Sequence, residues 1–344
     1  MESLFKSACG WLLFALWAMV ASAQSSAKME TVPIFSGGVA FVPTVVGGQT
    51  SVNTAFAPVL LVPFGEKWLV ESRATFEGDF ERVNGSFVGP VEKQVDYLEL
   101  DYLANKYLTI TAGRFLTPFG IYNERLYPVW VRNLQSEPLI LPMEESSSNG
   151  LMFRGGFALN NDVVLNYATY FSALTTNQFL AADRQYGARV GVFLPKERVE
   201  VGFSMQHKLQ DARENLYGIH FTIQPRELPL DLRTEFAESP QGRGYWIEPA
   251  LKLSSIHKLH AITGKTQLVG RFQQFFVKGT PPDDSELPSV NARQAEFGIN
   301  YYLMDGLRVT ASTGRQFSSD GDHNVWTVGM TYRFAIPLGW GGAR

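Results

Sequence analysis

The sequence predicts an all-β fold, a transmembrane antiparallel β-barrel of about 16 strands (roughly 14–18) with a long third outer loop folded inward. Three observations carry this. Short segments that alternate apolar and polar residues recur along almost the whole chain. Short turns between them alternate with longer polar loops. Aromatic residues make up 13% of the chain, yet after the N-terminal segment no stretch approaches the run of about 18 apolar residues that a membrane helix needs. Barrel strands need only every second residue apolar, and their rims carry aromatic girdles.

Residues 1–23 read as a cleaved signal peptide, with basic Lys6, an apolar run over 11–20 and an Ala21-Ser22-Ala23 cleavage site. Residues 24–344 then form one barrel domain, without linker or composition shift. Cys9, the only cysteine, falls in the signal without a lipobox. A mature chain without cysteine has no disulfide, thiolate metal site or cysteine nucleophile. The net charge of −3 argues against a nucleic-acid partner.

Taken in order, 32–46 is a weak first strand, because it contains two prolines and Gly-Gly. A polar loop is expected at 47–54, a strand at 55–62 and a turn at 63–66. Residues 68–83 carry the clearest alternation: Trp68, Val70, Ala74, Phe76 and Phe80 on one face, Glu71, Arg73, Thr75, Glu77, Asp79 and Glu81 on the other. Strands follow at 95–103 and 107–115, joined by Asn105-Lys106. Residues 116–148 then lose the period. Beyond them, 151–157 and 163–171 flank the Asn160-Asn161-Asp162 turn, and 185–194 and 199–208 flank Pro195-Lys196-Glu197. Residues 217–223 and 230–236 flank Pro225-Arg226-Glu227, and 245–252 is a further strand. Residues 254–265 are a looser connection, and 267–276 alternates without a clear facing. Strands at 295–303 and 307–312 flank Asp305-Gly306, a strong hairpin signal, and 326–334 ends the barrel. An even count with both termini on the short-turn, periplasmic side favours 16 strands.

Such a sheet must close, since lipid offers no partner for open backbone edges. Charge on the lipid face costs roughly 2–4 kcal/mol at the midplane, so the charged face turns inward. That assigns Glu71, Arg73, Glu77, Asp79, Glu99, Asp101, Arg154, Arg189, Arg233, Arg308 and Arg333 to the pore lining. A barrel this wide is too large for side chains to fill and holds water. The long loop is rich in apolar residues for a free loop (Phe119, Ile121, Tyr127, Trp130, Leu139, Ile140), which predicts that it packs inside. Arg114, Glu124, Arg125, Arg132, Glu137, Glu144 and Glu145 would then form a pore constriction whose opposed charges filter solutes.

Gly113-Arg114-Phe115, followed by Pro118-Phe119-Gly120 before the long loop, resembles outer-membrane porins of the phosphate-selective type and their relatives in Gram-negative bacteria. The resemblance implies 16-stranded homotrimers with an inward third loop between strands five and six. Those porins line the pore with many basic residues, whereas this lining is mixed, so phosphate selectivity does not carry over. The Tyr332-Arg333-Phe334 ending resembles the aromatic end of a last barrel strand, with ten residues beyond it.

No catalytic grouping stands out: G-x-S-x-G is absent, and no Ser, His and acid set recurs. His257 and His260 lack a third ligand, and Asp283, Asp284 and Glu286 lack an EF-hand pattern, so neither pair nor cluster is assigned a metal. The expectation is a non-enzymatic outer-membrane porin without cofactor, whose partners are membrane lipid and small hydrophilic solutes or ions. The alternative is a barrel without transport, an adhesin or structural protein.

Overall fold

The computed structural model describes residues 32–144, 146–177, 179–210, 213–253, 263–279, 287–319 and 321–339. Seventeen strands form one hydrogen-bonded sheet. Sixteen of them build the wall, and the short Ser86–Val88 folds back on its neighbour above it. The wall strands are β1 (Ile34–Val46), β2 (Gln49–Phe64), β3 (Trp68–Val83), β4 (Val91–Asn105), β5 (Leu108–Leu116) and β6 (Ser147–Ala158). Then come β7 (Val164–Ser172), β8 (Gln185–Leu194), β9 (Val199–Lys208), β10 (Asn215–Ile223) and β11 (Leu230–Glu238). The last are β12 (Gly242–Lys252), β13 (Thr266–Val277), β14 (Ala292–Met304), β15 (Leu307–Ser318) and β16 (His323–Pro337).

Every strand pairs antiparallel with its chain neighbours, and β1 pairs with β16 from Ile34↔Pro337 to Val46↔Val325. The barrel is therefore closed, and no edge is left to aggregate or to face lipid unpaired. Among the described residues no helix is long and apolar enough to cross a membrane; the strands do the crossing.

The expected weak first strand is a full member of the wall, paired on both sides. The expected polar loop at 47–54 is corrected. Gly47 and Gly48 take φ of 57° and 91°, and two successive left-handed residues make the tight hairpin that suits strand twist. β2 consequently starts at Gln49 and runs on through the polar residues.

Alternation sorts the side chains as the period predicts. Phe41, Phe56, Phe76, Leu98, Phe153, Phe203, Ile219, Ile247, Phe297 and Val328 are exposed on the outside and form an apolar belt. Tyrosines, phenylalanines and tryptophans gather at its margins, as in the contacts of Trp68 with Tyr102 and Phe35 with Phe334 at the short-turn end. A closed barrel wearing such a belt sits in an outer membrane. Most of the longer connections, 117–146 among them, leave one end of the barrel, which is the outer one, while 253–265 joins its strands at the other end.

The strand at 266–277, ambiguous in the sequence, turns Gln267, Val269, Arg271, Gln273 and Phe275 inward, all of them buried. Apolar residues face inward here because they touch the loop rather than water. The motif candidates His257, His260, Asp283, Asp284 and Glu286, the signal segment and Glu145 lie outside the described residues.

Candidate functional site: the lumen and its inner loop

The loop 117–146 leaves the top of β5 and descends into the barrel. Its entry is fixed by hydroxyls. Thr117 Oγ1 lies 2.8 Å from Ser148 Oγ and accepts from Ser146 Oγ, and Asn123 Nδ2 donates to the Thr117 and Ser146 carbonyls. Phe119, Ile121, Tyr122, Leu126, Ile140 and Leu141 then pack with Leu216, Ala237, Trp246 and Phe275, which project inward from β10 to β13. A fully buried aliphatic or aromatic side chain of this kind contributes about 1.5–3 kcal/mol. The apolar residues expected to draw the loop inside do so, against a wall patch that is itself apolar.

Polar anchors extend the attachment around the barrel. The Gly120 N–H donates to Ser204 Oγ on β9 at 3.0 Å. The Glu235 carboxylate on β11 accepts from the Ile121 and Tyr122 amides at 2.9 and 3.3 Å. Asn133 donates to Glu248 on β12 at 2.9 Å, and Arg271 on β13 reaches the Ser136 carbonyl at 2.7 Å. Gln273 accepts the Leu139 N–H at 2.9 Å, and Asn300 on β14 donates to the Asn133 carbonyl at 2.9 Å. Arg308 on β15 donates to the carbonyls of Val129 and Arg132. The loop is thus tied to the wall by polar side chains of β9 and of every strand from β11 to β15, while β10 adds Leu216 to the apolar patch.

Four of the seven expected constriction residues, Glu124, Arg125, Arg132 and Glu137, lie along this loop, each with a partner. Arg125 makes a bidentate pair with Glu200 at 2.7 and 2.9 Å. Glu124 pairs with Arg189, which also donates to the Gly120 carbonyl. Arg132 is buried, pairs with Glu137 at 2.7 Å, donates to the Tyr127 carbonyl and lies over the Tyr127 ring. Burial pushes the Tyr122 phenol up to about 12, against the pull of Arg132. Burial alone would lower the Arg132 pKa, but its acidic neighbourhood raises it on balance, so the guanidinium stays charged. Glu144 ends the short helix Leu141–Glu144.

Arg114 is a correction. It pairs in register with Leu98, which is 53% exposed on the lipid side, and with Asn149. Its guanidinium donates to Asn149 Oδ1 and to the Ala181 carbonyl of the 173–184 connection, which covers it. Strand parity sends it out of the barrel, so it has no place in the lumen.

The residues expected to line the pore fall on the inner face of the wall in different settings. Arg154 pairs with Asp101 at 2.5 Å and lies 3.6 Å from Glu99. Arg233 pairs with Asp231, and Arg73 is buried beside Asp96 at 2.8 Å. Glu77 accepts from Asn53, and Glu71 stands opposite Glu99 across β3 and β4. Arg308 holds the loop rather than facing water. Arg333 follows the outward Tyr332 and so falls on the inner side, near the short-turn end.

Sequence reasoning missed several members. Asp96 is the extra residue of a bulge, where Arg73 opposes Tyr97 but Ala74 opposes Val95. A bulge shifts the period by one, so alternation cannot assign its face. Glu235, Glu248 and Glu296 alternate with outward apolar neighbours and stand buried on the inner face, and nothing in the pattern signals their choice of partner in the loop. Among the described residues, no group of three His, Cys, Asp or Glu is placed to hold a metal ion.

Open space lies on both sides of the loop. Above it, a hollow of about 760 Å³ is lined by Asn53, Glu77, Asp79, Arg132, Glu137 and Thr327 among others. Below it, one of about 230 Å³ is lined by Arg125, Arg198, Glu200, Gln224 and Arg233 among others. The wall facing the anchorage, β4 to β7, carries Glu99, Asp101 and Arg154.

No protein-family model matches the sequence, and no curated protein matches it. Solved structures do match. Pseudomonas putida OprB at high pH superposes with a TM-score of 0.60 at 10% identity, covering 89% of this chain and 94% of that one. An anion-selective porin from Comamonas acidovorans gives 0.56 at 9% identity, covering 88% and 99%. The trimer form of OmpT from Vibrio cholerae gives 0.57 at 8% identity, covering 89% and 100%. The chain has the fold of the outer-membrane porins. At these identities the likeness is one of architecture, and function must be argued from the lumen itself.

Proposed function

We propose that this protein is a passive channel through which small hydrophilic solutes or ions cross the outer membrane, narrowed by the loop 117–146. The observation that carries the reading is the loop's position: it is bonded to the wall from β9 to β15, with a hollow above and a hollow below. A segment fixed so firmly at mid-depth sets the bore of the remaining space, and the charges of Glu124, Arg125, Arg132 and Glu137 along it act on whatever passes. The lining mixes both signs, which suits a general filter better than a dedicated anion site. Its chemistry is transport without bond breaking.

The anion-selective porin and the trimeric OmpT among the similar structures support two extensions, charge preference and assembly as a homotrimer. The segment 1–23 acts as a cleaved signal, which a mass measurement on membrane-derived protein would test by finding Gln24 as the first residue.

The deciding experiment is electrical. The folded protein inserted in a planar bilayer gives ohmic single-channel steps, and their size changes when residues 117–146 are shortened. A folded, inserted barrel that stays silent overturns the proposal.

A further inference from the structure

Three arginines stand on the outside of the barrel at its outer rim, where the pore has no use for them. Arg243 on β12 shares its face with the exposed Ile247 and Leu251, and Arg293 on β14 shares its face with Phe297 and Ile299. Arg315 on β15 pairs in register with Ala295 on that same outward face. Each is near the outer end of its strand. An arginine on the lipid face costs about 2–4 kcal/mol at the midplane but only about 0–1 near the interface, so these side chains sit at headgroup level.

Their arrangement is specific. The guanidinium groups of Arg293 and Arg315 both lie against the ring of Phe317, at 4.9 and 5.4 Å from its centroid. Phe317 is the register partner of Arg293, with Gln274 on the other side. Stacking on a ring orients a guanidinium while leaving its N–H edge free. Arg315 also pairs with Asp322 at 3.0 Å. Arg293 has no carboxylate partner among the described residues. Next along the rim, Arg243 lies over Phe276 and faces Glu238, which pairs with Lys278. Four bases (Arg243, Lys278, Arg293, Arg315) thus stand against two acids (Glu238, Asp322) among the described residues. Beside Phe317 a depression of about 640 Å³ is lined by Gln274, Asn291, Arg293, Ser318 and Asp322 among others.

We propose that this rim site binds the phosphate of a lipid headgroup in the outer leaflet, with Arg293 and Arg315 as its principal donors. A guanidinium matches phosphate oxygens bidentately. The ring that orients two guanidinium forks, the lack of a carboxylate partner for Arg293 among the described residues and the recess at headgroup depth all fit a phosphate carried on an acyl-chain anchor. The chains lie on the belt beneath, beside Phe272 and Phe297. Gln274 and Ser318 supply further polar groups to the sugar or glycerol that bears the phosphate.

The test uses the full chain, folded in detergent, with native mass spectrometry counting retained lipid. The probes are a diphosphorylated glycolipid, its dephosphorylated counterpart and inorganic phosphate. The unaltered protein should retain the phosphorylated lipid and not the dephosphorylated one. Arg293→Gln with Arg315→Gln should weaken retention about tenfold or more, given roughly 1 kcal/mol per basic residue at an anionic surface. The matched lysine pair should retain part of it. Heat-modified electrophoretic mobility checks that each variant is folded. Equal retention by the unaltered protein and the glutamine variant overturns the proposal, as does equal retention of both lipids. Full displacement of the lipid by millimolar inorganic phosphate would assign the site to free phosphate and overturn the lipid assignment.

Discussion

The carboxylate of Glu235, buried in the wall of β11, accepts the backbone N–H of Ile121 at 2.9 Å, joining the loop to a strand more than a hundred residues further along the chain. The second carboxylate oxygen takes the Tyr122 N–H at 3.3 Å. Two consecutive amides directed at one carboxylate hold the loop at its first inward turn, before any of its charges reach the lumen. Glu235 is therefore a positioning residue, and its influence on transport runs through the loop.

Replacing Glu235 with alanine leaves those two amides buried without an acceptor, at a cost of about 1–3 kcal/mol for each unsatisfied group. The barrel, closed by its own ladder, should still fold. Single-channel recordings of Glu235→Ala should show noisier current and altered step size as the loop loosens. Glu235→Gln, which keeps one acceptor oxygen, should fall between. Traces identical to the unaltered protein would mean that the loop does not set the bore.

Gly120 supplies the matching half of this contact. It takes φ of 56°, and a Cβ there would overlap the Glu235 carboxylate. Gly120→Ala therefore meets both backbone strain and a clash. Its effect on conductance should resemble that of Glu235→Ala, and the double variant should be less severe than the sum, since one contact is lost twice. Strict additivity would separate the two residues.

Arg271 and Glu248 form a pair at 2.6 Å whose side chains are 1% and 2% exposed. Removing one partner strands a buried charge, which costs about 3–5 kcal/mol, whereas replacing both with apolar residues costs far less. Arg271→Met and Glu248→Leu should each lower the urea midpoint of the detergent-folded barrel, and the combination should recover much of the loss. The recovery will be incomplete, because Arg271 also holds the Ser136 carbonyl and Glu248 holds Asn133.

The barrel was legible because lipid outside and water inside enforce a period of two. Where one of those media is replaced, the pattern fails for a physical reason. Val269 and Phe275 on β13 face inward and apolar because the loop covers them. Asp96 was unreadable because a bulge displaces it, and Gln49 to Thr54 read as a loop because polar residues line the inner wall there without alternating cleanly. Arg114 belonged to a motif that suggested the pore, yet strand parity directs it outward beneath the 173–184 connection. The composition of the loop foretold its packing. Its partners could not be foretold, since each is set by the register of a distant strand.

The wall opposite the loop anchorage gives the sharpest electrical prediction. Glu71 and Glu99 are direct cross-strand neighbours on β3 and β4, with Asp101 next along the strand. Like charges in direct opposition are about 5 Å apart at Cβ and repel, and Glu99 and Asp101 lie within ion-pair distance of one cation, Arg154. If solutes pass between this wall and the loop, Glu71→Gln with Glu99→Gln must shift the reversal potential in a salt gradient toward anions. Arg154→Gln must shift it the other way. Both shifts should shrink as salt rises, because the screening length falls from about 10 Å at 0.1 M to about 3 Å at 1 M. Opposite shifts that fade with salt place the current along β3 to β6. Two null results would route the current away from β3 to β6.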